Sequence, residues 1–408
     1  MEENLENCNL FPWRRSFWLA TFATFFIFAS LSAVFTPTFS LFALELGATP
    51  LEIGFLFGLP LVMGLFFRIP GSTLSTLIGR KGILLFSAMI CFFAPFLLYF
   101  FQNLTLLYAV GAIYGLATLV PSVALSFVHD VLPKEKKSEY MGYFSMGGGM
   151  GRVVGAIGAG FLIETLKSYP LVFLCAAFSA GIGVLFFMCL PSIGLGVQKP
   201  QNLSSQFFQD LKNTFEKKSL RHLGWIRSFQ GMASATTHSY FPLFASSILG
   251  FGASQIGLIQ GGQVFFSLLS RSLTGYWLKG RNSSHLLIFS FLGLALFLFF
   301  IPLFNQFIIL LVIFAGMGFL EGVCYLSTLT QASKVSGNRL FGTTAGWLGT
   351  MNDVGMLGGR LLPGLVLIFP GGFVLAFSLV AGGLGLFGFS TLSMQFSKPI
   401  SEKKLAYS

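Results

Sequence analysis

Residues 46–58 read LGATPLEIGFLFG, and residues 249–261 read LGFGASQIGLIQG. At an offset of 203 positions (249 − 46), Leu46-Gly47 falls on Leu249-Gly250, Ile53-Gly54 on Ile256-Gly257 and Gly58 on Gly261. The register continues without a gap to Gly115. Arg68 falls on Arg271, Phe86-Ser87 on Phe289-Ser290, Phe101 on Phe304, and Ala112 and Gly115 on Ala315 and Gly318. Two apolar stretches can share composition by accident, but so many glycines and one arginine in a single register indicate an internal repeat. The chain is two halves in parallel.

The repeating unit is a set of membrane helices. Of the 408 residues 54% are hydrophobic and 10% charged, with a mean hydropathy of +0.79, where a soluble domain carries about 25% charged residues. A spanning helix needs about 20 mostly apolar residues. Six such segments lie near 16–44, 52–73, 82–101, 104–129, 139–163 and 169–191. Six more follow near 222–249, 254–277, 285–304, 306–331, 341–368 and 371–394. The expected fold is therefore an all-α integral membrane protein of twelve transmembrane helices in two six-helix bundles. Residues 1–191 form the first bundle, 192–221 a cytoplasmic linker, 222–394 the second bundle and 395–408 a cytoplasmic tail. The linker places Leu203, Phe207, Phe208, Leu211 and Phe215 at helical spacing among lysines, the pattern of an amphipathic helix on a membrane surface.

The net charge of +11 would suggest nucleic acid in a soluble chain, but its distribution excludes that partner. With the N-terminus inside, nineteen of the 25 Lys and Arg fall in the N-terminal segment, the even-numbered connections and the C-terminal tail. Lys167 alone falls outside, and the five within helices are all arginine: Arg68, Arg152, Arg227, Arg271 and Arg360. Cytoplasmic loops carry the Lys/Arg excess, so both termini are expected in the cytoplasm and the protein in the plasma membrane. The apolar run Phe17–Leu44 is longer than the core of about 7–15 residues in a cleaved signal peptide, and it reads as a retained first span. The five cysteines (Cys8, Cys91, Cys175, Cys189, Cys324) are scattered without metal-ligand spacing, and neither a metal nor a cofactor is expected. The sequon Asn103-Leu-Thr105 sits in a short turn and is read as chance.

A charged side chain at bilayer depth is costly and marks function or pairing. Arg152 lies in GGGMGRVVGAIGAGFLI, residues 147–163. Gly147, Gly151 and Gly155, four apart, allow close helix approach, and Gly355 and Gly359 repeat this in the eleventh segment beside Arg360. Arg152 and Arg360 are candidate substrate ligands as a pseudo-symmetric pair, because guanidinium donors suit carboxylate or phosphate; the alternative is ion pairing with Asp353 or Glu321. His238 is a third candidate for the cavity, or a hydrogen-bonded helical histidine. Glu321 and Asp353 are candidate proton carriers, since burial and a nearby arginine push a carboxyl pKa in opposite directions, or else they are structural partners. Arg68 and Arg271, with Arg227, lie near cytoplasmic helix ends, where snorkelling is cheap.

These residues resemble the major facilitator superfamily. Between its second and third helices that family carries Gly-x-Leu-x-Asp-Arg-x-Gly-Arg-Lys. Here STLSTLIGRK keeps Leu74, Gly79, Arg80 and Lys81, with Ser72, Thr76 and Leu77 at the departing positions. The counterpart GYWLKGR keeps Gly275, Gly280 and Arg281. HDVLPKEKKSEYMGYF supplies Asp130, Pro133, Glu135, Lys137 and Gly142 at the family spacing. The first segment and its exit, TPTFSLFALELGATPLEIG, resemble the opening of drug-efflux members. The antiporter pattern Gly-x-x-x-Gly-Pro-x-x-Gly-Gly is present as Gly147, Gly151, Arg152, Gly155 and Ala156, with arginine in place of proline.

The resemblance implies two bundles working by alternating access. It also implies a gating group of Gly79, Arg80, Lys81 and Asp130, flanked by Arg68 and Arg271. It leads to a secondary active transporter of a small organic solute, with proton-coupled efflux as the first expectation. Uptake or exchange of an anionic metabolite through the intramembrane arginines is the alternative. A membrane-embedded transferase would need a clustered His, metal or nucleophile site. The four histidines, His129, His222, His238 and His285, stand singly, so the protein is not expected to be an enzyme. Its partners are a small-molecule substrate, the proton as coupling ion and the lipid bilayer; it is expected to act as a monomer.

Overall fold

The computed structural model describes residues 13–133, 136–192, 217–277 and 283–392. The amphipathic linker helix and the C-terminal tail lie outside the described residues. Thirteen α-helices appear among those described. They are α1 (Trp13–Ala33), α2 (Phe39–Glu45), α3 (Pro50–Ile78), α4 (Arg80–Phe100), α5 (Leu104–Ala117), α6 (Leu119–Val131), α7 (Lys137–Leu166), α8 (Tyr169–Met188), α9 (Lys218–Ser247), α10 (Ala253–Trp277), α11 (Ser283–Phe300), α12 (Phe307–Val366) and α13 (Gly372–Leu392). Backbone N–H and C=O groups find no water in hydrocarbon and must be paired within the segment, which leaves helices as the solution for such a chain.

Nine helical stretches among the described residues are long and apolar enough to cross a membrane. The other spanning candidates, α9, α10 and the second arm of α12, carry much of the buried polar chemistry: Ser228, Gln230, Thr236, Thr237 and Ser239 on α9, and Gln260, Gln263, Ser267, Ser270 and Thr274 on α10. Their reduced hydropathy comes from these side chains.

Local signals fix the helix ends. Thr49 and Glu52 cap α3 reciprocally: the Glu52 N–H donates to Thr49 Oγ1 at 3.3 Å and the Thr49 N–H to Glu52 Oε2 at 2.8 Å, with Pro50 preset for the first turn. Asn103, the sequon asparagine, caps α5 by accepting the Leu106 N–H at 2.7 Å. α1 and α2 are joined through a π turn, Val34–Thr38, at the non-helical Thr36 and Pro37. α12 was expected as two segments broken near 332–340, but it is helical from Phe307 to Val366. It nevertheless doubles back. The Gln230 side chain donates to the carbonyl of Glu321 at 2.9 Å, while the backbone of adjacent Gly231 lies against Asn352. A straight helix would put Glu321 and Asn352 about 46 Å apart. No proline falls between Ala332 and Gly346 to remove a donor and stop the helix.

The described residues form two compact units, one within Met1–Gln198 and His238–Phe265, the other within Lys199–Thr237 and Phe266–Ser408. In the first, α7 lies on α1 along its glycines: a Cβ on Gly151 would run into the carbonyl of Phe25, and one on Gly155 into the carbonyl of Ala29. In the second, α12 lies on α9 the same way, Gly355 against the carbonyl of Ser228 and Gly359 against that of Met232. Without a hydrophobic force between helices in lipid, such van der Waals contact supplies the association.

These contacts extend the repeat and adjust it. Gly47 (φ +82°) and Gly250 (φ +69°) make the same left-handed turn at the 203-residue offset. Phe25 and Ala29 match Ser228 and Met232 at that offset (228 − 25), but Gly151 and Gly155 match Gly355 and Gly359 at 204 (355 − 151). The left-handed Lys167 and Gly371 also match at 204 (371 − 167). Arg152 is thus level with Met356, and Arg360 with Ala156. The two arginines expected to be equivalents stand one helical turn apart within the repeat.

Replacing Gly355 by alanine should cost about 1–3 kcal/mol, the usual range for overpacking, because its Cβ meets backbone of α9. Gly358→Ala, with nothing within 4 Å of its Cβ position, should be neutral or slightly stabilising. Melting temperatures of the two variants in detergent check the contrast.

Candidate functional site

Three helices of the second unit bring polar side chains together. α9 contributes Arg227 and Gln230, α10 contributes Ser267 and Arg271, and the first arm of α12 contributes Glu321 and Tyr325. The guanidinium carbon of Arg227 lies 4.9 Å from the centroid of the Tyr325 ring, and that of Arg271 lies 4.7 Å from the same ring. A ring quadrupole attracts cations to its face, so one tyrosine holds two guanidinium groups that would otherwise repel. Arg227 Nη1 donates to Gln230 Oε1, and Gln230 Nε2 donates to the Glu321 carbonyl. Arg271 Nη2 donates to Ser267 Oγ at 3.4 Å, and its buried Nε has no hydrogen-bond partner among the described residues.

Glu321 lies within electrostatic reach of Arg227. Two guanidinium groups against one carboxylate leave a single net positive charge. Gly322, the next residue, has its Cβ position filled by Ser270 Oγ and the carbonyl of Ser267. The absent side chain lets α12 and α10 approach closely enough for Arg271 to reach Tyr325.

The remaining expected site residues fall elsewhere. Arg152, exposed on α7, has its guanidinium carbon 4.6 Å from the Phe28 ring of α1, and its carbonyl accepts from Ser32 Oγ at 2.8 Å. Half-buried His238 belongs to the first unit, where its carbonyl accepts from Gln260 Nε2 at 3.3 Å. Asp353 is buried and Arg360 half-buried on the second arm of α12. The carbonyl of Gly359, beside Arg360, accepts from Thr236 Oγ1 at 3.0 Å. Arg68 is on α3, and its side chain lies outside the described residues.

The residues expected to gate, Gly79, Arg80, Lys81 and Asp130, lie together in the first unit. Gly79 takes φ +103° between α3 and α4, a backbone that L side chains rarely adopt. Arg80 Nη2 then pairs with Asp130 Oδ2 of α6 at 2.7 Å, with side-chain exposures of 15% and 22%. Lys81 Nζ donates to the carbonyl of Met188, the last residue of α8, at 2.7 Å and to that of Leu190, just past it, at 2.6 Å. Adjacent cations therefore tie three helices at one end, with Asp130 serving Arg80 where the family pattern has its own Asp at the position of Thr76.

The sequence reading missed Tyr325, Gln230 and Ser267. The signal was present as three polar pairs at helical spacing, Arg227 with Gln230, Ser267 with Arg271 and Glu321 with Tyr325. Nothing in the spacing shows that the three pairs face one another.

Asp130→Asn removes a charged acceptor from a largely buried guanidinium and should cost about 1–3 kcal/mol. Adding Arg80→Gln should recover part of the loss. A double-mutant cycle on thermal unfolding measures that coupling.

The Major Facilitator Superfamily model matches residues 17–360. Among relatives, the chain is 25% identical over 264 residues to the Uncharacterized MFS-type transporter MJ1560 of Methanocaldococcus jannaschii, covering 62% of this chain and 66% of that protein. It is 27% identical over 115 residues to the Probable nitrate transporter NarT of Staphylococcus carnosus, covering 28% of this chain and 30% of that one. The chain thus spans just under two thirds of the first relative and under a third of the second. Among solved structures, the nucleoside transporter NupG superposes with a TM-score of 0.78 at 15% identity, over 94% of this chain and 100% of that chain, which is a likeness of fold. The helical architecture of the described residues, the internal repeat and the family match agree: this chain is a multi-pass membrane protein belonging to the major facilitator superfamily.

Proposed function

We propose that the protein is a secondary transporter of a small monovalent anion, working by alternating access between its two six-helix repeats. The observation that carries this reading is the pair of guanidinium groups, Arg227 and Arg271, on the single ring of Tyr325. Arginine presents fixed donors that match a carboxylate or another oxyanion, and the net single positive charge of the group with Glu321 suits a monoanion. A relative named for nitrate has an anionic cargo, which agrees with the same chemistry. Two fixed cations on one ring oppose a lipophilic cation, so anion transport is favoured over the efflux of a cationic drug.

Glu321 is the proposed proton carrier. Its protonation removes the one negative charge of the group and strengthens anion binding. By reciprocity, a bound anion raises the proton affinity of Glu321, and anion and proton then travel together. Arginine stays charged throughout and serves as the fixed counter-charge. The lysine and arginine distribution supports cytoplasmic termini, with the Arg80–Asp130 cluster at the inner face. Asp353, Arg152 and Arg360 remain candidates for a second polar station.

Proteoliposomes containing the full chain, challenged with a panel of monoanions such as nitrate, acetate and lactate and with lipophilic cations, test the assignment. Uptake of at least one monoanion is expected, accompanied by proton entry. Arg271→Gln and Arg227→Gln should each lower it about 10–100-fold, in line with losing a charge-assisted contact. Glu321→Gln should keep anion exchange but lose the dependence on a proton gradient. Proton movement driven by cations alone, insensitive to both arginine variants, would overturn the reading.

A further inference from the structure

The two copies of the repeated LG turn cap their helices differently. At the start of α3 the cap is internal, Thr49 and Glu52 serving each other. At the equivalent start of α10, Thr49 is replaced by Gly252 and Glu52 by Gln255. Gln255 Oε1 still accepts the Gly252 N–H at 3.1 Å, but the capping hydroxyl is gone. An acceptor for this helix end comes instead from outside the repeat, at the N–H one residue earlier. Glu164, near the end of α7, accepts the Ser254 N–H at 3.1 Å through Oε2. A Cβ on Gly252 would lie 3.0 Å from that same oxygen, so the glycine leaves room for the carboxylate.

Behind the cap the two helices touch along glycines. Gly160 lies against the carbonyl of Ala253, a Cβ on Gly257 would sit 2.7 Å from the carbonyl of Ala156, and Gly261 lies against Ile157. α7 belongs to the first repeat and α10 to the second, yet these ends pack within one compact unit. A carboxylate at a helix N-terminus is favoured by the unpaired N–H groups and the helix dipole. Because Glu164 sits on α7, the bond that completes α10 also ties it to the other repeat.

We infer that the Glu164 carboxylate on the α10 N-terminus is a latch that holds the outer end of the transporter closed, and that it must release before the outside opens. The word outer rests on the topology proposed above. The loss of Thr49's counterpart at Gly252 makes the latch necessary: α10 has no hydroxyl of its own at this position, so its N-terminus is completed when it docks on α7.

The test uses Ile157→Cys in an otherwise cysteine-free full chain, a smaller side chain at the Gly261 contact two turns from Glu164. Intact cells are labelled with a membrane-impermeant maleimide. Glu164→Ala should raise the labelling rate about three- to ten-fold, and Glu164→Gln, which keeps an acceptor without the charge, by less. Glu164→Ala combined with Gly252→Ser restores a hydroxyl cap within α10 without reconnecting α7. This double variant should regain thermal stability while labelling stays fast.

Unchanged labelling in Glu164→Ala would overturn the inference, as would protection restored by Gly252→Ser, which would make Glu164 a helix cap and nothing more. Labelling only from the inner side, in inverted vesicles, would overturn it by placing this contact at the other face. Should Glu164→Ala fail to reach the membrane, the comparison of Glu164→Gln with its parent decides on the same terms. The readout needs no substrate, so failure of the anion reading would leave this result standing.

Discussion

Backbone contact through glycine is the constraint on which the rest of this structure depends. Within a bilayer the tails compete equally well for an apolar side chain, so helices associate through close packing and polar contact rather than through exclusion from water. Gly151 and Gly155 bring α7 onto carbonyls of α1, and Gly355 and Gly359 bring α12 onto carbonyls of α9. Gly322 does the same for α12 and α10, with Ser267 and Ser270 filling the space of its missing side chain. These contacts set where the polar residues on the same helices arrive.

The charged groups follow from that packing. Arg227 and Arg271 reach one tyrosine because α9, α10 and α12 are held close, and Gln230 then fixes one of them by bridging to the Glu321 carbonyl. In the first unit Arg80 and Lys81 take an acidic side chain and two helix-end carbonyls. In each case a cation in a low-dielectric setting is matched by a ring face, a carboxylate or terminal carbonyls, the partners that offset its loss of water. Each cluster also keeps buried guanidinium donors without a hydrogen-bond partner among the described residues, Nε and Nη1 of Arg80 and Nε of Arg271.

The repeat gives an unusual view of how such a protein diverges internally. Thr118 of the first half rests against Gly64, a Cβ there falling 3.0 Å from its hydroxyl. The corresponding positions in the second half are Glu321 and Ser267, which belong to the charged cluster. The Thr49 and Glu52 cap likewise becomes Gly252 and Gln255, and the Glu164 carboxylate of the other half accepts the Ser254 N–H there. The first half keeps these positions local and structural. In the second half the same positions face outward to charge or to another repeat.

By itself the sequence determined the helical class and the internal repeat, because these depend on quantities carried along a single helix: apolar length and glycine spacing. It also marked which charges lie within helices. Only the tertiary structure decided which of them meet. Arg271 and Glu321 converge with Arg227 and Tyr325, while Arg152 and Arg360 stand 208 positions apart (360 − 152) in a repeat whose register runs from 203 to 204, and so are not equivalents. A single inserted residue rotates a helix by about 100°, too little to disturb composition or periodicity and enough to reassign a side chain to another neighbour. Which faces of different helices oppose one another is set by backbone contacts at glycines, and those contacts exist only once the helices have packed.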